Sequence, residues 1–296
     1  MKKNSSVWES ALDIINHLLL FIFAFLCIYP FYFVLIGSVS SGPEARTAFL
    51  WPANFTLSTY EQLLVNVDIY RAFFISIART VLGTALTVFF TAMLAHLLTK
   101  QKMYFRKAIY RYFIITMYFN AGLIPWYLTM QAYGLQNNFL LYIVPGTVNV
   151  FFLILVKTYI ESIPASLEES AEIDGAGFLT VFTRIILPLT KPVLATITVF
   201  GAVGQWNTWV DNFFLVSDRN LQTLQLLLWN HLQQAQTLAT AMRNATTAAG
   251  APLAFPISPE NIRMAMVVIT VFPIMLVYPF LQKYFAQGIM LGAVKG

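Results

Sequence analysis

Long apolar stretches recur along the chain and are separated by polar segments. An α-helix needs about 20 largely apolar residues to cross a hydrocarbon core of about 30 Å. Stretches of this kind run over residues 18–39, 73–98, 109–130, 139–156, 193–216 and 264–285. The pattern therefore predicts an all-α polytopic membrane protein with six transmembrane helices.

One polar segment, residues 164–192, predicts two short helices around a break. Pro164 suits the first turn of a helix, where no N–H donor is needed. Gly175 and Gly177 are expected to end that helix, because glycine tolerates the left-handed conformation of a C-cap. A second apolar series recurs at helical spacing: Phe178, Val181, Phe182, Ile185 and Ile186. Pro188 and Pro192 are expected to stop the second helix.

Composition agrees with a membrane protein. Hydrophobic residues make up 58% of the 296 residues and charged residues only 10%, against about 25% charged in a typical soluble domain. The net charge of +5 does not indicate a nucleic-acid partner, because the basic residues are distributed by membrane side. Cys27 is the single cysteine, so no disulfide can form within the chain.

The basic residues predict the orientation in the membrane. With the N-terminus inside, twelve of the eighteen Lys and Arg residues fall on or next to the cytoplasmic side, as the positive-inside rule requires. Both termini and residues 164–192 are then cytoplasmic. Two long segments, residues 40–72 and 217–263, lie on the outer side, where they either meet a soluble partner or cap the helices.

Residues 164–192 carry a resemblance to a known family. Glu169-Ser170-Ala171, three residues, Gly175, nine residues, Ile185, one residue and Leu187-Pro188 resemble the EAA loop of ABC-importer permeases, with Ser170 in place of an alanine. Ile28 to Ser40, Gln205 to Trp209 and the tail from Gly288 resemble patterns of the carbohydrate-importer permeases. Within that group the tail looks like that of the shorter maltose-transporter permease.

The resemblance implies a fold, partners and a location. It implies one transmembrane domain of the type I ABC importer fold, with a core at about residues 70–285 and a cytoplasmic coupling helix. It also implies a second homologous permease subunit, an ABC ATPase dimer that binds ATP and Mg, and an extracytoplasmic solute-binding protein. The expected substrate is an oligosaccharide, acidic ones included, and the expected location is the plasma (inner) membrane, with the lipid bilayer around the helices.

The resemblance further implies which residues meet the ATPase. The cytoplasmic tail, residues 291–296, is expected to reach it. The coupling residues implied by the motif are Glu168, Glu169, Ser170, Ala171, Asp174, Gly175, Ile185, Leu187 and Pro188.

No catalytic or metal-binding constellation is visible in the sequence. His17, His96 and His231 lie in separate regions without a carboxylate at ligand or triad spacing. His17 and His96 fall at predicted membrane ends, where reaching to the interface is the usual role. No GxxxxGK[ST] phosphate loop is present. We therefore expect a protein that is not an enzyme, holds no cofactor and takes its energy from a partner.

The fifth predicted helix is the candidate substrate contact. Polar residues in a spanning helix normally face the bundle interior or a wet cavity. Gln205, Thr208, Asp211 and Asn212 follow Gly201 at three- and four-residue steps, with Trp206 and Asn207 beside them. An equally good interpretation is that the tryptophans form an interfacial belt and that Asp211 caps the helix end. Weaker candidates are Tyr118, Asn120, Trp126 and Asn149, and Arg79 is predicted as an interfacial anchor rather than a substrate ligand.

Other functions fit the sequence less well. An ion-gradient-driven transporter or channel would place ionisable residues near mid-membrane, and the first, third, fourth and sixth predicted helices have almost none at depth. Within the ABC class, a peptide or a lipid-derived substrate remains an alternative to carbohydrate.

Overall fold

A computed structural model describes residues 7–41, 49–249 and 259–293. All regular secondary structure in these ranges is helical, which confirms the all-α prediction. Parts of both predicted outer segments (42–48 and 250–258) and the last three residues of the predicted tail contact (294–296) lie outside the described residues. The α-helices are α1 Val7–Ser38, α2 Ser58–Val65, α3 Val67–Thr99, α4 Arg106–Tyr118, α5 Leu123–Ala132, α6 Val150–Glu161, α7 Ser166–Ile173, α8 Phe178–Val181, α9 Leu187–Leu189, α10 Lys191–Asn207, α11 Val210–Leu215, α12 Leu224–Ala249 and α13 Pro259–Ala293.

Three stretches of the described chain are long and apolar enough to cross a membrane. They are Leu12–Ser38 in α1, Val67–Thr99 in α3 and Glu260–Val277 in α13. Two further crossings are possible if sharply bent helix pairs each count as one: α6 with α7, bent by 78°, and the Phe178–Leu189 stretch with α10, bent by 81°. The predicted number of six transmembrane helices is therefore not confirmed.

The predicted third, fourth and fifth spans are interrupted. The third divides into α4 and α5 at Phe119–Gly122, where Gly122 has a φ of 86°. The fourth begins at Val150 rather than at 139, because a short 3-10 helix at Phe139–Tyr142 is followed by a non-helical stretch. The first helix of the fifth span ends at Asn207, because the backbone of Thr208 is extended. Hydropathy alone does not detect such breaks, because apolar residues flank each of them.

The second helix of the polar segment ends between Pro188 and Pro192, as predicted: it runs from Phe178 to Leu189, and an 81° bend at Thr190 separates it from α10. Phe182–Ile186 forms a π-helical turn, and the chain continues through α9, which contains Pro188. A proline ring clashes with the carbonyl four residues earlier, and a wider π turn just before Pro188 accommodates it. Pro192 lies in the first turn of α10, the position where proline is tolerated.

The chain packs as two compact units, each built from two stretches of sequence. The first comprises residues 1–66 and 228–272. In it, Asn261 donates hydrogen bonds through Nδ2 to the carbonyls of Gly37 and Ser40, and Met264 fills the space that a side chain at position 37 would take. Tyr60 donates its hydroxyl hydrogen to Ser38.

The second unit comprises residues 67–227 and 273–296 and is centred on α3, which packs against α6 and α10. Small side chains on α3, Ala92 and Ala95, are almost fully buried and let these helices approach closely. Leu153 and Val156 of α6 and Ile197 of α10 complete this core. The expected single domain with a core at about 70–285 stays a prediction.

Candidate functional site

A cavity of about 250 Å³ opens in the second unit between α3, α5, α6, α10 and α11. Its polar walls come from breaks in the helices: Asn149 caps the N-terminus of α6, Thr208 follows the last residue of α10, and Asp211 lies in the first turn of α11. Side chains at such breaks can enter a cavity while the neighbouring helices remain in lipid-compatible packing. The lining residues are Arg79, Thr87, Trp126, Leu141, Tyr142, Pro145, Gly146, Asn149, Phe152, Phe200, Gly201, Gly204, Gln205, Thr208 and Asp211.

Arg79 is the centre of the polar network at this cavity. Its guanidinium donates to both carboxylate oxygens of Asp211, at 3.0 and 2.6 Å, in a bidentate pair. It also donates to the Thr208 carbonyl at 3.1 Å and to Gln205 Oε1 at 3.0 Å. The guanidinium carbon lies 4.7 Å from the centre of the Tyr142 ring. Arg79 thus ties α3 to the break between α10 and α11.

The prediction of Arg79 as an interfacial anchor is wrong. The residue is 3% exposed, and α3 begins at Val67, which places Arg79 well inside the helix rather than near its end. A buried arginine needs a partner to offset the loss of hydration, and Asp211 provides it. The signal in the sequence was the presence of opposite charges, Arg79 and Asp211, in two predicted spans.

The structure brings only part of the predicted substrate pathway to the cavity. Gln205, Thr208 and Asp211 line it, as do Gly201, Asn149 and Trp126. Room for the Gln205 side chain comes from glycine on two sides: a Cβ atom at Gly83 would lie 2.8 Å from Gln205 Nε2, and one at Gly146 would lie 3.4 Å away.

Five of the predicted candidates do not line the cavity. Trp206 is buried edge-to-face against Phe73 and does not line the cavity. Asn207 accepts a hydrogen bond from Gln225, and Asn212 is buried where its Oδ1 accepts from the backbone N–H and the hydroxyl of Thr223. Tyr118 is 82% exposed and is not among the residues that line the cavity, and neither is Asn120.

The second candidate site is residues 164–192, here called the coupling segment. Its first helix, α7, ends at Ile173, and Gly175 follows in the predicted left-handed conformation with a φ of 83°. The Gly175 N–H donates to the Glu172 carbonyl at 3.1 Å, and the Ala176 N–H donates to the Ala171 carbonyl at 2.9 Å. These two bonds form a Schellman motif, which requires a left-handed residue at this position. Gly177, in contrast, is extended rather than left-handed.

The predicted coupling residues divide into exposed and packed groups. Glu169, Ser170, Asp174, Gly175 and Pro188 are exposed. Three apolar members pack against the core of the second unit: Ala171, Ile185 and Leu187. The packed group shapes the segment, whereas the exposed group offers a surface; the contact of that surface with an ATPase stays a prediction.

Glu168 turns toward its own chain. It accepts a hydrogen bond from Lys100 at 2.5 Å, and Glu172 accepts one from the same ammonium group at 3.1 Å. Burial acts to lower the pKa of Lys100, but the bonds to the two carboxylates outweigh it and raise this pKa above its ordinary value. The pair fastens α7 to the end of α3.

His96 does not reach to a membrane interface as predicted. It is fully buried and stacks on Phe178 and Phe182, with ring centres 4.9 and 5.8 Å away. Its Nδ1 lies 3.4 Å from Glu168 Oε1. Aromatic side chains at positions 178 and 182, one helical turn apart, create this slot. Among the described residues, no group of histidines, cysteines and carboxylates has the arrangement of a metal site.

Comparison with protein families and relatives gives a consistent result. The family model described as binding-protein-dependent transport system inner membrane component matches residues 87–291. The polygalacturonan/rhamnogalacturonan transport system permease protein YtcP of Bacillus subtilis (strain 168) is 34% identical over 286 residues, covering 96% of this chain and 98% of that protein. Protein LplC of the same strain is 37% identical, covering 96% and 95%.

A solved structure agrees with these relatives. It is a bacterial ABC transporter involved in the import of the acidic polysaccharide alginate, and a chain of it superimposes with a TM-score of 0.83. That chain is 31% identical in sequence, and the match covers 96% of this chain and all of that one. The fold is therefore that of an ABC importer permease.

Proposed function

Because the chain belongs to the family of binding-protein-dependent transport system inner membrane components, we propose that it is the permease subunit of an ATP-driven importer of oligosaccharides, acidic ones included. The observation that carries this proposal is the near full-length similarity to a permease named for polygalacturonan and rhamnogalacturonan. A chain of an alginate importer supports the same substrate class. As a permease, the chain is a non-enzymatic membrane subunit.

Membership of the family implies association with an ATPase and with a binding protein. We further propose that the ATPase is a dimer that binds the ATP and Mg, and that a second homologous permease completes the membrane pathway. The excess of Lys and Arg on one side supports cytoplasmic termini in an inner membrane, with the coupling segment on the ATPase side.

The contacts of the second unit support a mechanical link between ATPase and cavity. The coupling segment is held to α3 by the stacking of His96 on its phenylalanines and by the ion pairs of Lys100, and it continues into α10 through the bend at Thr190. The same two helices carry Arg79 and Gln205 at the cavity. Arg79 and His96 are 17 positions apart in α3, which corresponds to about 26 Å at 1.5 Å per residue, so a shift of α7 can reach the cavity through a single helix.

This link fits alternating access between two conformations. Closure of the ATPase dimer moves the coupling segment and favours the outward-open form. A loaded binding protein favours the same form from outside, so substrate and ATP hydrolysis become coupled.

The proposal is tested by purification and reconstitution. The tagged permease, expressed with its neighbouring transport subunits, is expected to bring an ATPase with it. In proteoliposomes, ATP hydrolysis should rise when binding protein loaded with an oligogalacturonate is added. Uptake that follows an ion gradient and needs no ATPase would refute the proposal, and stimulation by a loaded peptide-binding protein alone would refute the carbohydrate assignment.

A further inference from the structure

The orientation of the Gln205 amide is fixed by its neighbour. Arginine carries five N–H donors and no acceptor, so the atom of Gln205 that receives the Arg79 Nε–H, at 3.0 Å, must be the amide oxygen. The amide nitrogen is therefore the opposite end, beside Gly83 and Gly146 at the cavity wall. The end of the Gln205 side chain that lies beside Gly146 at the cavity wall is therefore a hydrogen-bond donor, not an acceptor.

Asn149 is oriented in the same sense. Its Oδ1 accepts the backbone N–H of Phe152 at 3.0 Å and caps the N-terminus of α6. A backbone N–H can only donate, so the oxygen is committed to the helix. The Nδ2 group is left as the end that can serve the cavity, which Asn149 also lines.

The strongest acceptors of the lining are held by the protein itself. Both oxygens of Asp211 receive hydrogen bonds from Arg79, and Oδ1 also receives the N–H of Asn212. The Thr208 carbonyl accepts from Arg79 as well. The Asp211 charge is thus compensated within the wall, whereas Gln205 and Asn149 use their amide oxygens, not their nitrogens, in the contacts with Arg79 and Phe152.

We propose that Gln205 and Asn149 form a subsite for the carboxylate of an acidic sugar unit, an inference that rests on the proposed function. A carboxylate only accepts, and hydrogen bonds to it are about twice as strong as neutral ones. A sugar hydroxyl would find the same donors but fewer acceptors for its own hydrogen. At about 250 Å³, the cavity is smaller than the usual 300–1,000 Å³ of a ligand pocket, which suits one sugar unit rather than a whole oligomer.

The experiment measures binding to the assembled transporter in nanodiscs. Radiolabelled trigalacturonate and a labelled alginate trisaccharide are bound by the complex without binding protein, and unlabelled acid or its neutral methyl ester competes. The wild-type complex should prefer the acid over the ester by about tenfold or more, the factor that corresponds to one hydrogen bond to a charged group.

Two variants replace an amide nitrogen with an oxygen at the subsite. Gln205→Glu keeps the acceptor for Arg79, and Asn149→Asp keeps the cap of α6, so each is expected to assemble. Each should weaken acid binding about tenfold or more and reduce the preference over the ester. Gln131→Glu is the matched control: the same change in α5, at an exposed residue that does not line the cavity, should leave binding unchanged.

The possible results separate two failures. If the wild-type complex binds neither acid nor ester, the proposed function fails. If it binds both equally well, or if Gln205→Glu and Asn149→Asp bind acid as the Gln131→Glu control does, the subsite is refuted while carbohydrate import stands. Assembly is checked for every variant by co-elution with the ATPase, and the comparison of acid with ester in the wild type decides the question even if a variant does not assemble.

Discussion

The Arg79–Asp211 pair should stabilise the helix break at the cavity, and Asp211→Asn is the change that tests it. The two side chains are 4% and 12% exposed, and the closest contact between them is 2.6 Å. Removing one member of such a buried pair costs about 3–5 kcal/mol, because the remaining charge is left unpaired. We expect about 3 kcal/mol here, the lower end of that range, since water can enter the adjoining cavity.

The companion changes separate charge from hydrogen bonding. Arg79→Met leaves the buried Asp211 carboxylate without its cation, at a cost of about 3–5 kcal/mol, and it also removes the donor to the Thr208 carbonyl. The double variant Arg79→Met/Asp211→Asn contains neither charge. It should therefore be less destabilised than the sum of the two single variants, by about 1–3 kcal/mol.

The assay is the free energy of unfolding of the chain in lipid bicelles, measured by steric trapping. Asp218→Asn serves as the control, because Asp218 is exposed and its Oδ1 accepts only local bonds from Asn220. This control should change stability by about 0.5 kcal/mol or less. Two results would refute the argument that charge pairing stabilises the helix break. One is a loss of unfolding free energy in the double variant that equals the sum of the single losses; the other is a loss in Asp211→Asn no larger than that of the control.

Three further predictions concern the coupling segment and the cavity. Gly175→Val should lower the free energy of unfolding by about 1 kcal/mol or more and reduce recovery of the ATPase. The cause is the positive φ of 83°, because no atom lies within 4 Å of the new Cβ. An equal loss of stability in Gly175→Asn would argue against this cause. Lys100→Glu should destabilise the chain by about 1–3 kcal/mol by placing like charges together, and addition of Glu168→Lys should restore stability in the same unfolding assay. A cysteine at Thr208 should react with a membrane-impermeant thiol reagent faster when ATP is trapped, whereas one at the buried position of Trp206 should not; equal labelling of both would contradict the assigned cavity face.

Several features of this protein follow from local sequence. The length of an apolar run sets whether a helix can cross the membrane, so the long helices α1 and α3 were predictable in place if not at their ends. The left-handed turn at Gly175 was predictable as well, because the spacing of the short helices and the lack of a Cβ at the glycine act within a few residues. The EAA-loop motif around Gly175 indicated the family as well, because its residue spacing is also read from a short stretch of sequence.

The polar contacts of the site depended on tertiary structure. Arg79 and Asp211 are 132 positions apart, and the slot around His96 joins α3 to α8 and the π turn that follows it. Hydropathy assigned Arg79 and His96 to the ends of helices. The lipid-facing and core-facing surfaces of a membrane helix are about equally apolar, so hydropathy does not reveal which neighbour a side chain contacts. The direction of each amide was likewise fixed only by its partner: a guanidinium for Gln205 and a backbone N–H for Asn149. Local sequence thus set the long helices α1 and α3 and the turn of the coupling segment, whereas helix packing decided which charges pair and which polar atoms line the cavity.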